Sequence, residues 1–520
     1  MHVSNKLKFL TSLAAAAMML SAAIAQAQTL VVARGSDANS LDPAEGRSFE
    51  AIKMADWMFD GLVRFEGNSH KIVPALAESW EISQDGLTWT FKLRGGVTFH
   101  DGTPLNADAV VFSLERQRDK DHPQHCSECR RWNAKFAAIA KTEKVDDLTV
   151  AIKLKEPAPA LLVNLAFYIG YIVSPTAVLA DPENFRTNPV GTGPFKFVSW
   201  ERDNFIELVR NDEYYQGVPK VEKLVVRVIP DNNVRLLALK KGEVHLIYGV
   251  PFPQFDEVNN DPNLNMIVNS TLGISFVALN TERKPFDDIR VRQAVNHAIN
   301  RDRIFKTVFY GRGELANQII PSNWFGHSKN VKVHEYDPEK AKALLAEAGQ
   351  SDGFKTDLLT WEAPRPYLPA PRDAVSLIKA DLAKVGIDVE IRTMKFGPFR
   401  AERGKGQYGL TMGGWISGTL DPDGIVYALY HSKGIREKDA LNWARFRNDD
   451  LDAALDKGRA IYDQAERTPL YEKAADIIAE NSIGVFLAHP ITAIATRKEL
   501  KNVFIHDSNW VPLHDAELTQ

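Results

Sequence analysis

The sequence is poor in cysteine, with two, Cys126 and Cys129, in 520 residues. With His122 and His125 they could complete a tetrahedral zinc site, since two thiolates and two imidazoles supply four ligands. The adjacency of His125 and Cys126 strains such a site. In an oxidising compartment the spacing favours a disulfide between Cys126 and Cys129, with bound metal and free thiols as the alternatives.

The sequence has no excess of positive charge. It holds 63 Lys and Arg against 67 Asp and Glu, a formal net charge of −4. A nucleic-acid partner would require a basic face, so none is expected. Beyond the N-terminal segment no apolar run reaches the roughly 18 residues of a membrane helix. The apolar content of 44% is that of a globular protein, and a chain of this length is expected to form two or more domains.

Catalytic motifs are also missing. There is no Gly-x-Ser-x-Gly, no His-Glu-x-x-His and no phosphate loop, because no Lys-Ser/Thr follows the glycine-rich segment 191–194. That segment is interpreted as a tight turn before a strand. A secreted hydrolase would need a nucleophile with its base, and a metal or haem carrier would need spaced ligands. The sequence therefore favours a binding protein over an enzyme, without a cofactor.

The N-terminal segment has the three parts of a secretory signal peptide. A short positive start with Lys6 and Lys8 precedes an apolar run over residues 9–24, and Ala25-Gln-Ala27 forms a small-x-small cleavage site. An uncleaved membrane anchor is the alternative, but the run is too short to span. No cysteine lies near the site, which excludes lipid attachment there. We expect residues 1–27 to be removed and the product to be periplasmic.

Strand and helix patterns alternate irregularly along the rest of the chain, which predicts an α/β class with more than one sheet. A hairpin is predicted at residues 80–93, with its turn at 84–86. Further strands are predicted at residues 29–33, 148–154, 205–209, 223–229 and 387–392. Helices are predicted at residues 106–116, 233–241, 289–300, 373–385 and 464–479, with another that begins after Asp337 and ends at Gly349.

Several short motifs occur together in a fixed order. They are LAESW at 76–80, LRGGV at 93–97, FHDG at 99–102, NADAV at 106–110, NPVGTGPF at 188–195, NDEYY at 211–215, Asn280 with KPFDD at 284–288, VRQA at 291–294, YDPEKAKALL at 336–345, and GW at 414–415 with DPD at 421–423. With these motifs the chain resembles the large ABC-transporter solute-binding proteins of the dipeptide, oligopeptide and nickel class, solute-binding protein family 5.

The resemblance implies a two-lobed periplasmic-binding-protein fold with a two-strand hinge, of the large cluster C type with an extra subdomain in lobe one. Lobe one would comprise residues 28–271 plus 490–520, and lobe two residues 272–489. Hinges can be ordered strand crossings, which agrees with the absence of a low-complexity linker. The implied partners are a small solute and the ABC permease subunits of the inner membrane, and a monomer is expected.

The chain looks most like the dipeptide-binding branch, in which an Arg-Pro-Tyr motif receives the ligand carboxylate. Here the motif is Arg365-Pro366-Tyr367, preceded by Pro364. Two prolines hold the backbone extended, and a guanidinium can bind a carboxylate or phosphate through two hydrogen bonds. From the residues alone, Arg365 could equally be an exposed loop arginine. The resemblance makes Arg365 and Tyr367 candidate ligand contacts.

The same branch anchors the ligand ammonium on an Asp three residues after the Gly-Trp tryptophan, and this chain has Gly418 there. The predicted contacts of this segment are Trp415, Ser417, Gly418 and Thr419. Their hydroxyls and open backbone suit sugar hydroxyls or an anionic oxygen, while Trp415 could instead be a core residue. Asp421 or Asp423 could replace the missing carboxylate.

Arg47 and Ser48 fall roughly where family members touch the ligand, and a second arginine would favour an anion. The expected ligand is a short peptide or an anionic non-peptide solute. Sugar-phosphate opines of the agrocinopine type are bound by relatives with this overall look.

Overall fold

The computed structural model describes residues 28–45, 49–69, 71–126, 136–417, 420–437 and 439–519. The strands are β1 (Thr29–Arg34), β2 (Val63–Phe65), β3 (Ile72–Pro74), β4 (Ala77–Ile82), β5 (Thr88–Leu93), β6 (Ile139–Asp146), β7 (Thr149–Leu154), β8 (Phe195–Glu201), β9 (Phe205–Arg210), β10 (Lys223–Val228), β11 (Leu246–Tyr248), β12 (Leu264–Ser270), β13 (Gly273–Leu279), β14 (Glu314–Leu315), β15 (Phe354–Trp361), β16 (Ile387–Met394), β17 (Leu410–Ile416), β18 (Gly484–His489), β19 (Ile491–Arg497), β20 (Leu500–Lys501) and β21 (Glu517–Leu518).

The α-helices are α1 (Phe49–Met58), α2 (Ala107–Arg118), α3 (Leu161–Leu165), α4 (Pro175–Ala180), α5 (Pro182–Phe185), α6 (Asn232–Lys240), α7 (Phe255–Asn260), α8 (Ile289–Ala298), α9 (Arg301–Val308), α10 (Pro338–Glu347), α11 (Pro371–Ala383), α12 (Phe396–Arg403), α13 (Asp423–Tyr430), α14 (Asp449–Gly458) and α15 (Gln464–Glu480). Short 3-10 helices lie at Tyr168–Gly170, Phe252–Gln254 and Ser432–Gly434. Within the described ranges no helix is long and apolar enough to cross a membrane.

Two large mixed sheets organise the fold. The seven-stranded sheet has the order β12-β19-β11-β1-β10-β9-β8, with β1 parallel to both of its neighbours. The six-stranded sheet has the order β14-β18-β13-β17-β15-β16, with β15 parallel to β16 and β17. A separate antiparallel sheet, β4-β5-β7-β6, packs against α2. The predicted α/β class with more than one sheet is confirmed.

The chain passes between the two large sheets at two adjacent places, after β12 and between β18 and β19. The Thr271 hydroxyl donates a hydrogen bond to the Pro490 carbonyl at 3.0 Å. The His489 ring nitrogen Nδ1 lies 2.7 Å from the Gly273 carbonyl oxygen. The crossings are therefore ordered and bonded to each other. The domain boundaries at 271 and 490 stay a prediction.

Alternation of side chains along each strand gives both sheets two buried faces. In β13, Val277 and Leu279 pack into one apolar cluster, whereas Ile274 and Phe276 pack into another on the opposite face. The cluster that contains Phe276 extends to Trp89 and Phe91 of the four-stranded sheet. The core therefore continues from the six-stranded sheet into the small antiparallel sheet.

Local sequence signals predicted several of these elements. The hairpin is confirmed as β4 and β5, whose Gly86 has φ of 71°. The predicted N-cap is confirmed at Asp337, whose side chain accepts a hydrogen bond from the Lys340 N–H. Asn106 likewise caps α2 through the Ala109 N–H.

One expectation needs correction. The helix predicted over 289–300 ends at Ala298, because Ile299 is extended and Asn300 caps the next helix, α9.

The segment 191–194 bends directly before β8, as expected, and neither Gly191 nor Gly193 has a positive φ. A Cβ atom on Gly191 would lie 2.1 Å from the Met58 carbonyl oxygen, so the end of α1 requires glycine there.

A buried carboxylate after α1 gives the fold a specific pH dependence. Asp60 is 9% exposed and accepts hydrogen bonds from the hydroxyls of Thr192 and Tyr214 at 2.8 and 2.9 Å. Burial raises the pKa of Asp60 from 3.8 to about 6. The folded chain holds the proton of the Asp60 carboxyl more tightly than the unfolded chain does. The contribution of Asp60 to stability is therefore complete below about pH 4. It is lost as the pH rises through about 6.

We therefore expect Asp60→Asn to flatten the pH dependence of stability. Between pH 4 and pH 7 the wild type should lose up to about 3 kcal/mol relative to the variant. Thermal unfolding midpoints measured across this range test the difference. Asp352→Asn is the matched control, since Asp352 is exposed and has no ion pair within the described ranges. Parallel curves for wild type and Asp60→Asn would contradict the prediction.

Candidate functional site

The predicted contacts that the structure describes lie at the carboxyl ends of parallel strands. Arg365 and Tyr367 follow β15, whereas Trp415 and Ser417 lie at the end of β17. After β15 the chain continues to β16 on one side, and after β17 it continues towards β18 on the other. Opposite departures of this kind open a crevice between two strands, where open α/β sheets bind their ligands.

β15 and β17 separate early, which widens this crevice. They pair only through Leu358 with Leu410 and Leu359 with Thr411. The Tyr367 ring lies in the resulting space against Gly414, where a Cβ atom would be 1.9 Å from the ring. Glycine in the Gly-Trp motif is therefore required by the close approach of Tyr367.

Arg365 is held by its backbone and by an aromatic ring. Its N–H and C=O both pair with Leu368, at 3.0 and 2.9 Å. The guanidinium carbon lies 3.6 Å from the centre of the Phe396 ring. The Nε atom is buried without a hydrogen-bond partner, and no carboxylate of the described residues lies within 4 Å of the group. A stacked guanidinium that lacks a counter-ion is suited to an anionic ligand.

Sequence reasoning missed α12, which brings two more arginines to the same place. The guanidinium carbon of Arg403 lies 4.3 Å from the centre of the Trp443 ring and 5.5 Å from that of Phe399. Burial, and then the nearby Arg400, lower the pKa of Arg403 to about 10. Phe and Arg recur four residues apart in this helix, at 396 with 400 and at 399 with 403. That spacing places them on one face and could have revealed the site.

Tyr367 lies among these cations. Burial raises the pKa of its phenol, and Arg403, Arg365 and Arg400 oppose that rise. Its ring also packs edge-on against Trp361 at 5.7 Å. Tyr367 is therefore fixed by packing, with its hydroxyl close to three positive charges.

Trp415 and Ser417 join the crevice to the core. Trp415 is half-buried and packs against the cluster that contains Phe276. Ser417 is buried, and its N–H donates to the Leu272 carbonyl at 2.7 Å, beside the first crossing between the sheets. Their contact with a ligand stays a prediction.

The two carboxylates considered as an amine anchor are already paired. Arg467 donates to both oxygens of Asp421, at 2.7 and 2.8 Å, and both side chains are buried. Arg459 lies 3.2 Å from Asp423, and the Tyr471 hydroxyl approaches the same carboxylate at 3.5 Å. These contacts pair Asp421 and Asp423 with side chains of α15 and with Arg459, which directly follows α14.

Five of the predicted positions lie outside the described residues: Arg47, Ser48, Gly418, Thr419 and Cys129. The first four stay candidate contacts.

Cys126 is buried, and its Sγ atom lies 4.0 Å from a Glu45 carboxylate oxygen. Because Cys129 lies outside the described residues, the Cys126–Cys129 disulfide stays a prediction. Among the described residues no group of His, Cys, Asp and Glu could hold a metal ion.

Comparison with known proteins gives consistent matches over the chain. The model of the bacterial extracellular solute-binding proteins, family 5 middle region, matches residues 71–437. The dipeptide-binding protein of Escherichia coli K12 is 32% identical, with 96% of both chains covered. HbpA2 from Haemophilus parasuis has a solved structure with a TM-score of 0.88 and 31% identity, covering 95% of this chain and 100% of its own. AgaA from A. tumefaciens R10, solved with agropinic acid, has a TM-score of 0.76 and 28% identity, covering 95% and 99%.

The fold has two mixed sheets joined by paired crossings, with a polar and aromatic crevice at the carboxyl ends of parallel strands. This arrangement defines a two-lobed solute-binding protein. The chain belongs to family 5 of the bacterial extracellular solute-binding proteins. It is a substrate-binding component of an ABC importer. The alternative of a secreted hydrolase has no support among these relatives.

Proposed function

We propose that this protein captures an anionic solute in the periplasm and delivers it to the ABC permease without chemical change. The observation that carries the proposal is the state of Arg365. Its guanidinium stacks on Phe396 at the carboxyl end of β15 and has no carboxylate within 4 Å among the described residues. A buried carboxylate or phosphate would supply the missing counter-ion through two hydrogen bonds.

The solute is expected to bind without a free α-amine. Gly418 replaces the aspartate that receives the ammonium in the dipeptide-binding branch, and Asp421 and Asp423 are paired with arginines. Burying an ammonium without a carboxylate is costly. N-blocked or N-substituted peptides and sugar-phosphate opines therefore fit better than ordinary dipeptides. The complex of AgaA with agropinic acid supports the wider class, since it is a non-peptide ligand in the same fold.

A solute held between two lobes is buried fully only when the lobes close. We therefore expect the radius of gyration to fall when the protein is saturated with its solute. Small-angle scattering with and without the molecule that co-purifies tests the expected fall in radius. The mass of the co-purifying molecule indicates the chemical class of the solute. Arg365→Ala provides the control, because the same solute concentration should leave that variant at the unliganded radius. An unchanged wild-type radius at saturation would contradict capture by closure.

A further inference from the structure

Arg403, like Arg365, differs from several buried arginines of the described ranges, whose guanidinium groups donate to carboxylates or to backbone carbonyls. Such partners are Asp421 for Arg467, Asp42 for Arg116, Asp37 for Arg34, Phe286 and Asn481 carbonyls for Arg292, and Ala316 and His334 carbonyls for Arg301. No hydrogen bond joins the Arg403 guanidinium to an acceptor among the described residues, and it lies near the rings of Phe399 and Trp443. The fold therefore holds a cation here without neutralising it.

The surroundings of Arg403 increase the positive potential instead of reducing it. Burial raises the pKa of the Tyr367 hydroxyl, and Arg403, Arg365 after β15 and Arg400, one turn earlier in α12, all oppose that rise. No ion pair joins any of the three arginines to a described carboxylate. Concentrated charge of one sign in a partly desolvated crevice attracts an oppositely charged ligand and costs stability when none is bound.

We propose that Arg403, supported by Arg400, forms a second anion subsite beside Arg365, so that the transported solute carries at least two negative charges. This inference rests on the proposed function and specifies its substrate class. A molecule with two carboxylates and a phosphomonoester share the required chemistry. Trp443 and Phe396 lie against the two guanidinium groups, and no hydrogen bond joins either group to another described residue.

The test uses two pairs of probes that differ chiefly in negative charge. N-acetyl-alanyl-glutamate is compared with N-acetyl-alanyl-glutamine, and glucose 6-phosphate with glucose, by calorimetry on the full chain. Wild type should bind the more charged member of at least one pair roughly ten- to hundredfold more tightly. The pair that shows the preference distinguishes the dicarboxylate from the phosphomonoester.

Variants separate the second subsite from the first. Arg403→Gln should remove most of the charge preference, whereas Arg403→Lys, which keeps the positive charge, should retain it. If Arg403 only packed against Trp443, the two variants would not differ according to their charge. Arg365→Ala should weaken every bound probe that carries a negative charge. Arg392→Gln is the matched control, since Arg392 is exposed and already paired with Glu390 at 2.8 Å.

Each outcome supports or overturns the inference. An unchanged charge preference in Arg403→Gln overturns the second subsite while the role of Arg365 stands. An indifferent Arg365→Ala beside a sensitive Arg403→Gln overturns the proposed anchor and keeps the subsite. Wild type that does not discriminate within either pair, or that binds none of the four probes, overturns the inference.

Discussion

Arg365→Ala is expected to weaken solute binding by tens- to thousandfold, the largest effect of any single change in the crevice. Removal of a charge-assisted contact from a buried anion costs about 2–5 kcal/mol. Stacking on Phe396 and pairing with Leu368 fix the group before binding, so little ordering opposes the contact. Calorimetry with N-acetyl-alanyl-glutamate and with the co-purifying molecule measures the loss.

Arg372→Ala is the matched control for Arg365, because it removes an exposed arginine of α11 that has no ion pair within the described ranges. Its affinity should equal that of wild type. Gly418→Asp adds a carboxylate at the position where the dipeptide-binding branch carries one, and it should repel the same anion. Tight binding of ordinary dipeptides with a required free amine, together with an indifferent Arg365, would contradict the interpretation of this pocket.

Asp421→Asn is expected to destabilise the fold by about 3–5 kcal/mol, because it leaves the Arg467 guanidinium buried without its counter-ion. Burial lowers the pKa of Arg467, whereas Asp421 and the Tyr471 hydroxyl raise it, and the balance is a raised pKa. The variant loses the contribution of Asp421, but its guanidinium stays charged because arginine is effectively always protonated at neutral pH. Denaturant unfolding of wild type and variant measures the difference.

Glu339→Ala provides the comparison for Asp421→Asn, since it breaks an exposed ion pair with Lys342 and should cost at most about 1 kcal/mol. Solute affinity separates the two roles considered for Asp421. A structural residue should leave the affinity of the folded variant unchanged. A large loss of affinity with little loss of stability would instead make Asp421 the amine anchor.

Part of the candidate site could be predicted from the sequence. Arg365, Tyr367 and Trp415 stand in short motifs, and the structure brings the segments of these motifs together at one crevice. The three-arginine cluster is absent from the sequence prediction, because the predicted strand ends at residue 392 and no helix is predicted directly after it. In the structure β16 continues to Met394, and α12 begins two residues later.

Features that depend on neighbouring residues follow from the sequence alone. Caps such as Asp337, the Gly86 turn and the alternation of β5 act over a few residues, so their signals can be read directly. It also carried enough ordered motifs to identify the family.

Contacts between residues far apart in the chain depend on the packing of the helices and sheets. Arg467 and Asp421 are 46 residues apart, and Arg403 and Trp443 approach only once α12 is in place. Sheet order decides such contacts, because adjacent parallel strands belong to segments far apart in the chain. The crevice of Tyr367 follows from where β15 leaves β17, which no local pattern specifies.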